Sequence, residues 1–152
     1  MEKIRIGKYV NTHGIKGEIR IKSNFEYKDK VFKIGNEIII DKPYEITGYR
    51  IHKDYDMVTL KGINSINDII NLKGMNVYIE RDKYLNSDDY LDSDLLGFNA
   101  YNNDFSLEVL DIRYLNNDKK LLDLGSKLIP FELIENIDFQ NKKIKIRDVI
   151  GL

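Results

Sequence analysis

Apolar and polar residues alternate one by one over much of this chain. Ile4-Arg5-Ile6 opens the pattern. Ile19-Arg20-Ile21-Lys22 repeats it, with isoleucine on one face and a cation on the other, and Ile144-Lys145-Ile146-Arg147 brings it back near the end. A period of two marks a half-buried strand, and β-branched isoleucine suits a pleated surface. Glu37 to Ile40 is a short apolar run and predicts a more buried strand. Glu45–Lys53 and Met57–Lys61 flank Asp54-Tyr55-Asp56, which reads as a hairpin. Gly35-Asn36, Gly125-Ser126 and Asn141-Lys142 are further turn signals. One segment departs from the alternation. Between Asn64 and Gly74, Ile66, Ile69 and Ile70 fall at helical spacing, Asn64 or Ser65 can cap the start, and Gly74 can end it. The spacing predicts a short helix that plugs one end of a small barrel.

The stretch 81–94 is dense in charge and lacks any period, and residues 83–93 within it are expected to be a linker. The chain then divides into an N-terminal domain, 1–82, and a C-terminal domain, 94–152. Both are expected to be strand-rich with turns at short intervals. The predicted fold class is mainly β: two small β-barrels joined by a short linker, with one short helix in the N-terminal domain.

Composition narrows the function. A chain of 152 residues can bury roughly 70% of its unfolded surface, enough for a core without covalent staples. The chain has no cysteine, which excludes disulfides, thiolate zinc sites, iron–sulfur clusters and a cysteine nucleophile. No apolar run approaches the ~18 residues of a membrane span. The opening MEKIRIGKYVNTHG has no uninterrupted apolar stretch, so no secretory signal is expected. The net charge of -1 conceals an asymmetry. Residues 1–83 carry sixteen Lys and Arg against twelve Asp and Glu, a balance of +4. Residues 84–152 carry eight against thirteen, a balance of -5. A basic half suits a polyanion. An acidic half suits a basic partner, or solubility alone.

Candidate chemistry is sparse. His13 lies in Asn11-Thr12-His13-Gly14-Ile15-Lys16-Gly17-Glu18, between two strands. Gly14 and Gly17 allow a sharp turn or a close approach to a ligand. Lys16 between them, with His13 and Lys8, could meet phosphate; the same residues also fit a tight hairpin with incidental cations. The loop is not a phosphate-binding P-loop, because the GxxxxGK[ST] order is missing and a strand follows. On Tyr49-Arg50-Ile51-His52-Lys53, alternation sets Arg50 and His52 on one face and Tyr49 and Ile51 on the other. Arginine and histidine beside aromatic rings can hold RNA backbone and stack on bases, and they can also form a plain solvated face. No nucleophile–base set or metal-ligand spacing is visible, so no enzyme activity, metal or cofactor is expected. Asp88, Asp89, Asp92 and Asp94 are expected to keep the linker soluble. Phe131, in Leu128-Ile129-Pro130-Phe131, reads as core or as an exposed anchor.

Several of these segments, in order and over essentially the whole chain, resemble the bacterial ribosome maturation factor family RimM. Ile6-Gly7-Lys8-Tyr9-Val10 running into Thr12 through Ile21 resembles the family's first strand, histidine–glycine loop and second strand. Arg50-Ile51-His52-Lys53, Leu60-Lys61-Gly62-Ile63 and Leu72-Lys73-Gly74 follow. Asp94-Leu95-Leu96-Gly97 is similar to the entry of the family's C-terminal PRC barrel. Leu128 to Phe131, Ile137-Asp138, Lys143 to Ile146 and Ile150-Gly151-Leu152 complete the likeness. Two elements depart from the family pattern. Tyr90-Leu91-Asp92 keeps one aromatic where the family commonly has a pair, and Ser106-Leu107-Glu108-Val109 lacks the family's glycine.

The resemblance implies a non-enzymatic factor that binds the head of the immature small ribosomal subunit and assists 16S rRNA processing and maturation. It implies rRNA contacts from Lys8, His13, Lys16, Arg20, Arg50, His52 and Lys53, with Gly14 and Gly17 shaping the loop. It also implies a surface for small-subunit ribosomal protein number nineteen, formed or supported by Tyr90, Leu95, Leu96, Pro130 and Phe131. Such a protein is expected in the cytoplasm, as a monomer when free and away from membranes. The alternative from a different class is a small-ligand or flavin-binding barrel enzyme, since fold alone does not choose function.

Overall fold

The computed structural model describes residues 2–150. The closing Gly151 and Leu152 of the family likeness lie outside them. The chain forms two compact units, Met1–Asp89 and Tyr90–Leu152, and is mainly β.

In the first unit the strands are β1 (Lys3–His13), β2 (Glu18–Lys22), β3 (Glu37–Ile40), β4 (Lys42–His52), β5 (Tyr55–Leu60) and β6 (Asn76–Glu80). They close into a barrel in the order β1-β2-β5-β4-β3-β6. The alternating isoleucines supply the interior. Ile19 and Ile21 on β2 are fully buried, as are Ile38 and Ile40 on β3, and each such side chain stabilises the fold by roughly 2 kcal/mol. The expected hairpin is present, but its turn is Lys53-Asp54 and Tyr55 already belongs to β5.

The predicted helix over 64–74 is instead two successive 3-10 turns, Ile66–Asp68 and Ile70–Leu72. The Asp68 carboxylate caps the start, accepting hydrogen bonds from the Asn64 and Ser65 amides at 3.0 and 3.1 Å, but the turns then close three residues on, Ile69 amide to Ile66 carbonyl and Lys73 amide to Ile70 carbonyl. Of the three isoleucines at helical spacing only Ile69 is fully buried, while Ile70 is 39% exposed. Two short α-helices lie elsewhere in the unit: α1 (Lys28–Val31) and α2 (Arg81–Tyr84). The charge-dense stretch expected as a linker begins inside α2. There the Tyr84 hydroxyl accepts from the Glu37 amide at 2.8 Å, and Lys30 pairs with Asp89.

The second unit holds β7 (Asn99–Tyr101), β8 (Ser106–Glu108), β9 (Asp111–Tyr114), β10 (Lys120–Asp123), β11 (Leu128–Pro130), β12 (Ile134–Asp138) and β13 (Lys143–Ile146). They make two sheets, ordered β11-β10-β9 and β12-β13-β7-β8, with β13 and β7 parallel. Leu95, Leu122, Ile129 and Ile144 lie at the centre of one shared core. No helix among the described residues is long and apolar enough to cross a membrane.

Candidate nucleic-acid interface

On β2, the burial of Ile19 and Ile21 turns Glu18, Arg20 and Lys22 to the outside of the barrel. On β1 the register matters more. Lys8 and His13 are five residues apart, and strict alternation would set them on opposite faces. Between the pairs Tyr9–Ile21 and Asn11–Arg20, Val10 is left over as a bulge. That extra residue resets the alternation. Lys8 stands opposite Lys22, Asn11 opposite Arg20 and His13 opposite Glu18, and directly opposed residues share a face.

The outer faces of β2 and β4 meet over β5. Met57 is the register partner of both Arg20 and Arg50, yet it is fully buried. The polar side chains therefore rest on an apolar floor. Above it, Arg20 Nη2 donates to Nδ1 of His13 at 2.8 Å, and the rings of His13 and His52 lie 5.4 Å apart. A guanidinium cannot accept, so Nδ1 is the acceptor and the ring proton of His13 sits on Nε2. Arg50 forms a two-pronged ion pair with Glu18. This pair holds the Glu18 carboxyl below the usual glutamate range and raises Arg50 further. His52 is pushed below the ordinary histidine value by desolvation and by the cations around it, Arg50 foremost. Tyr55, the register partner of His52, has the Arg20 guanidinium 5.7 Å and the Lys22 ammonium 5.6 Å from its ring centre.

The loop from Gly14 to Gly17 closes the end of β1 and β2. Gly17 has φ +91°, and a Cβ there would stand 2.7 Å from Ile63 Cγ2 and 3.0 Å from the Ser65 carbonyl. Only glycine fits this place. Gly14 also has a left-handed φ but faces open space. Lys16 is exposed between them, and Lys53 is exposed at the hairpin turn. The structure thus gathers Lys8, His13, Arg20, Arg50 and His52 on neighbouring strands, with Lys16 and Lys53 on adjoining loops. Three members of the face were not singled out from the sequence. Lys22 was readable, since it continues the alternation of Arg20. Glu18 and Tyr55 became visible only when strand pairing brought them beside Arg50 and His52. Among the described residues no group of three or more His, Cys, Asp or Glu is placed to hold a metal ion.

In the second unit the candidate residues differ in kind. Leu95 is fully buried and offers no surface of its own, whereas Leu96 is 46% exposed. Tyr90 packs on Phe139 with ring centres 5.3 Å apart. Pro130 pairs with Leu121, and half-buried Phe131 carries the Lys120 ammonium 4.6 Å above its ring. Asp92 is not a solvated linker acid. It is 3% exposed, and its carboxylate accepts from Lys120 at 2.9 Å and from the Tyr114 hydroxyl at 3.0 Å. Both partners come from more than twenty residues away, so no local pattern could reveal them.

Residues 4–84 match the family model described as the RimM N-terminal domain. The chain is 36% identical over 164 aligned positions to the ribosome maturation factor RimM of Staphylococcus aureus (strain bovine RF122 / ET3-1), with 99% of this chain and 98% of that protein covered. It is 35% identical, with the same coverage, to the RimM of Staphylococcus epidermidis. The solution structure of the N-terminal domain of RimM from Thermus thermophilus superposes with a TM-score of 0.50 at 17% identity, covering 57% of this chain and 98% of that one. This last likeness is one of fold.

Proposed function

Since this chain belongs to the RimM family, we propose that it works in ribosome biogenesis as a non-enzymatic assembly factor for the small subunit. In this reading it binds the immature head and assists processing and maturation of 16S rRNA. The observation that carries the proposal is the facing pair Lys8 and Lys22. Like charges set directly opposite on neighbouring strands oppose folding, and neither ammonium has a carboxylate partner among the described residues. Arg20, His13 and His52 extend the same basic strip. A polyanion such as an rRNA backbone turns this repulsion into attraction through counterion release.

Lys8, His13, Lys16, Arg20, Arg50, His52 and Lys53 are then the rRNA contacts, with Gly14 and Gly17 fixing the loop. The acidic second unit meets a basic partner, small-subunit ribosomal protein number nineteen, through Tyr90, Leu96, Pro130 and Phe131. Leu95 supports that surface from within the core. Maturation is assisted by differential affinity: binding favours one arrangement of the head, and the mature head no longer offers it. No cofactor takes part, and the protein acts in the cytoplasm as a monomer when free.

The test is fractionation of a lysate on sucrose gradients at low and moderate salt. The protein is expected with free small subunits, released as salt rises and absent from assembled ribosomes. Its presence at the top of the gradient at every salt concentration, with free subunits present, would refute the proposal.

A further inference from the structure

Beside the basic strip, the first unit carries an open groove of about 620 Å³ between the connection 22–32 and the hairpin turn. This is within the range of about 300–1,000 Å³ typical of sites for small organic groups. Its floor is rigid. Phe32 stacks on Tyr49 with ring centres 5.5 Å apart and planes 3° from parallel. Tyr49 donates to Asp56 at 2.6 Å, and Lys28 lies 2.8 Å from the other oxygen of that buried carboxylate. The floor's charge is therefore satisfied internally.

The mouth differs. Ile51 is 71% exposed there, and Tyr55, on the His52 face of the same hairpin end, also lines the groove and has cations over its ring. Lys22 and Lys53 have no carboxylate partner among the described residues. Lys53 is also held at φ +55°, a backbone region that non-glycine residues seldom occupy. Two cations on the same lining as an apolar and an aromatic side chain offer partners for the phosphates on either side of a nucleobase. Asp29 and Asp54, exposed on the same lining, are acceptors only when ionised, so they suit a base with an exocyclic amine.

We propose that this groove takes one unpaired ribonucleotide, with its base against Tyr55 and Ile51 and its phosphates at Lys22 and Lys53. The inference rests on the rRNA-binding reading of the strip and adds to it a preference for single-stranded over helical RNA. A helix keeps its base faces stacked and out of reach, whereas unpaired bases can lie on an aromatic ring.

Anisotropy titrations of the full chain with a labelled oligocytidylate and with an RNA duplex of equal charge test this. Tyr55→Ala is expected to weaken oligocytidylate binding about tenfold, by more than it weakens duplex binding, with Tyr55→Phe close to the parent chain. Ile51→Ala, at an exposed position that does not endanger folding, is expected to lower oligocytidylate affinity about threefold. Equal losses on both RNAs, or no loss with either alanine variant, would overturn the groove and leave the rRNA reading intact. Binding of neither RNA by the parent chain would overturn both.

Discussion

Arg50 on β4 grips Glu18 on β2 with two hydrogen bonds, Nε to Oε2 at 2.9 Å and Nη2 to Oε1 at 2.8 Å. The arginine side chain is about half exposed, while Glu18 is mostly covered. The guanidinium fork fits a carboxylate and a phosphate equally well. Glu18 therefore orients Arg50 and at the same time competes with any phosphate that approaches it.

Replacing Glu18 with Gln keeps the shape and removes the competing charge. Binding to free small subunits at low salt is expected to tighten about threefold, and the slope of log affinity against log salt to steepen by about one. Titration between roughly 50 and 200 mM salt reads both quantities. Weaker binding with an unchanged slope would show that Glu18 serves to hold Arg50 in its binding pose.

His52 gives the strip a pH dependence of defined sign. Desolvation and the nearby cations Arg50, Lys53 and Arg20 hold it below its ordinary value of 6.5. The folded state therefore takes up a proton less readily than the unfolded chain. The stability this provides is present above about pH 6.5 and is lost as pH falls through the depressed folded value. An RNA phosphate arriving beside Arg50 and His52 reverses the local field and favours the imidazolium. Binding is then expected to take up protons and to tighten as pH falls from about 7.5 to about 6. Glu18, held below the usual glutamate range by its hydrogen bonds from Arg50, stays ionised across that interval. Affinity measured at several pH values, for the parent chain and for His52→Asn, tests this. An equal pH dependence in both would remove His52 as its source.

The pairing of Asp92 with Lys120 and Tyr114 predicts a stability effect in the second unit. Asp92→Ala removes the carboxylate that accepts from the partly covered Lys120 ammonium and from the Tyr114 hydroxyl. Since Lys120 remains about one-third exposed, the expected cost is about 2 kcal/mol, below that of breaking a fully buried pair. Asp92→Asn keeps an acceptor for Tyr114 and is expected to cost about half as much. Urea unfolding of the two variants gives the comparison. A loss of less than about 0.5 kcal/mol for Asp92→Ala, the scale of an ordinary surface substitution, would mean that Lys120 finds water as an adequate partner.

Local patterns determined a large share of this protein. The alternation of Ile19, Arg20, Ile21 and Lys22 dictated which side chains enter the barrel and which face out, because successive residues of a strand point to opposite sides. The apolar run Glu37–Ile40 became β3 with the expected bounds. The two glycines around Lys16 marked a turn that only a side chain without Cβ permits at Gly17. The charge imbalance between the two halves was legible by counting, and the motifs pointed to the family.

Three features were decided by tertiary structure, each for a physical reason that no short window contains. Val10 bulges because β1 must pair with β2 on one edge and β6 on the other while closing a barrel, and that single extra residue brings His13 onto the face of Lys8. Glu18 and Arg50 are 32 positions apart in sequence and meet only because β5 lies between their strands. Asp92 sits in a charge-dense stretch and is buried all the same, because folding brings Lys120 and Tyr114 to its carboxylate. Side-chain direction follows from the local backbone and can be read residue by residue. Register and charge pairing follow from closure of the whole sheet, and they settle which of the outward-facing groups act together.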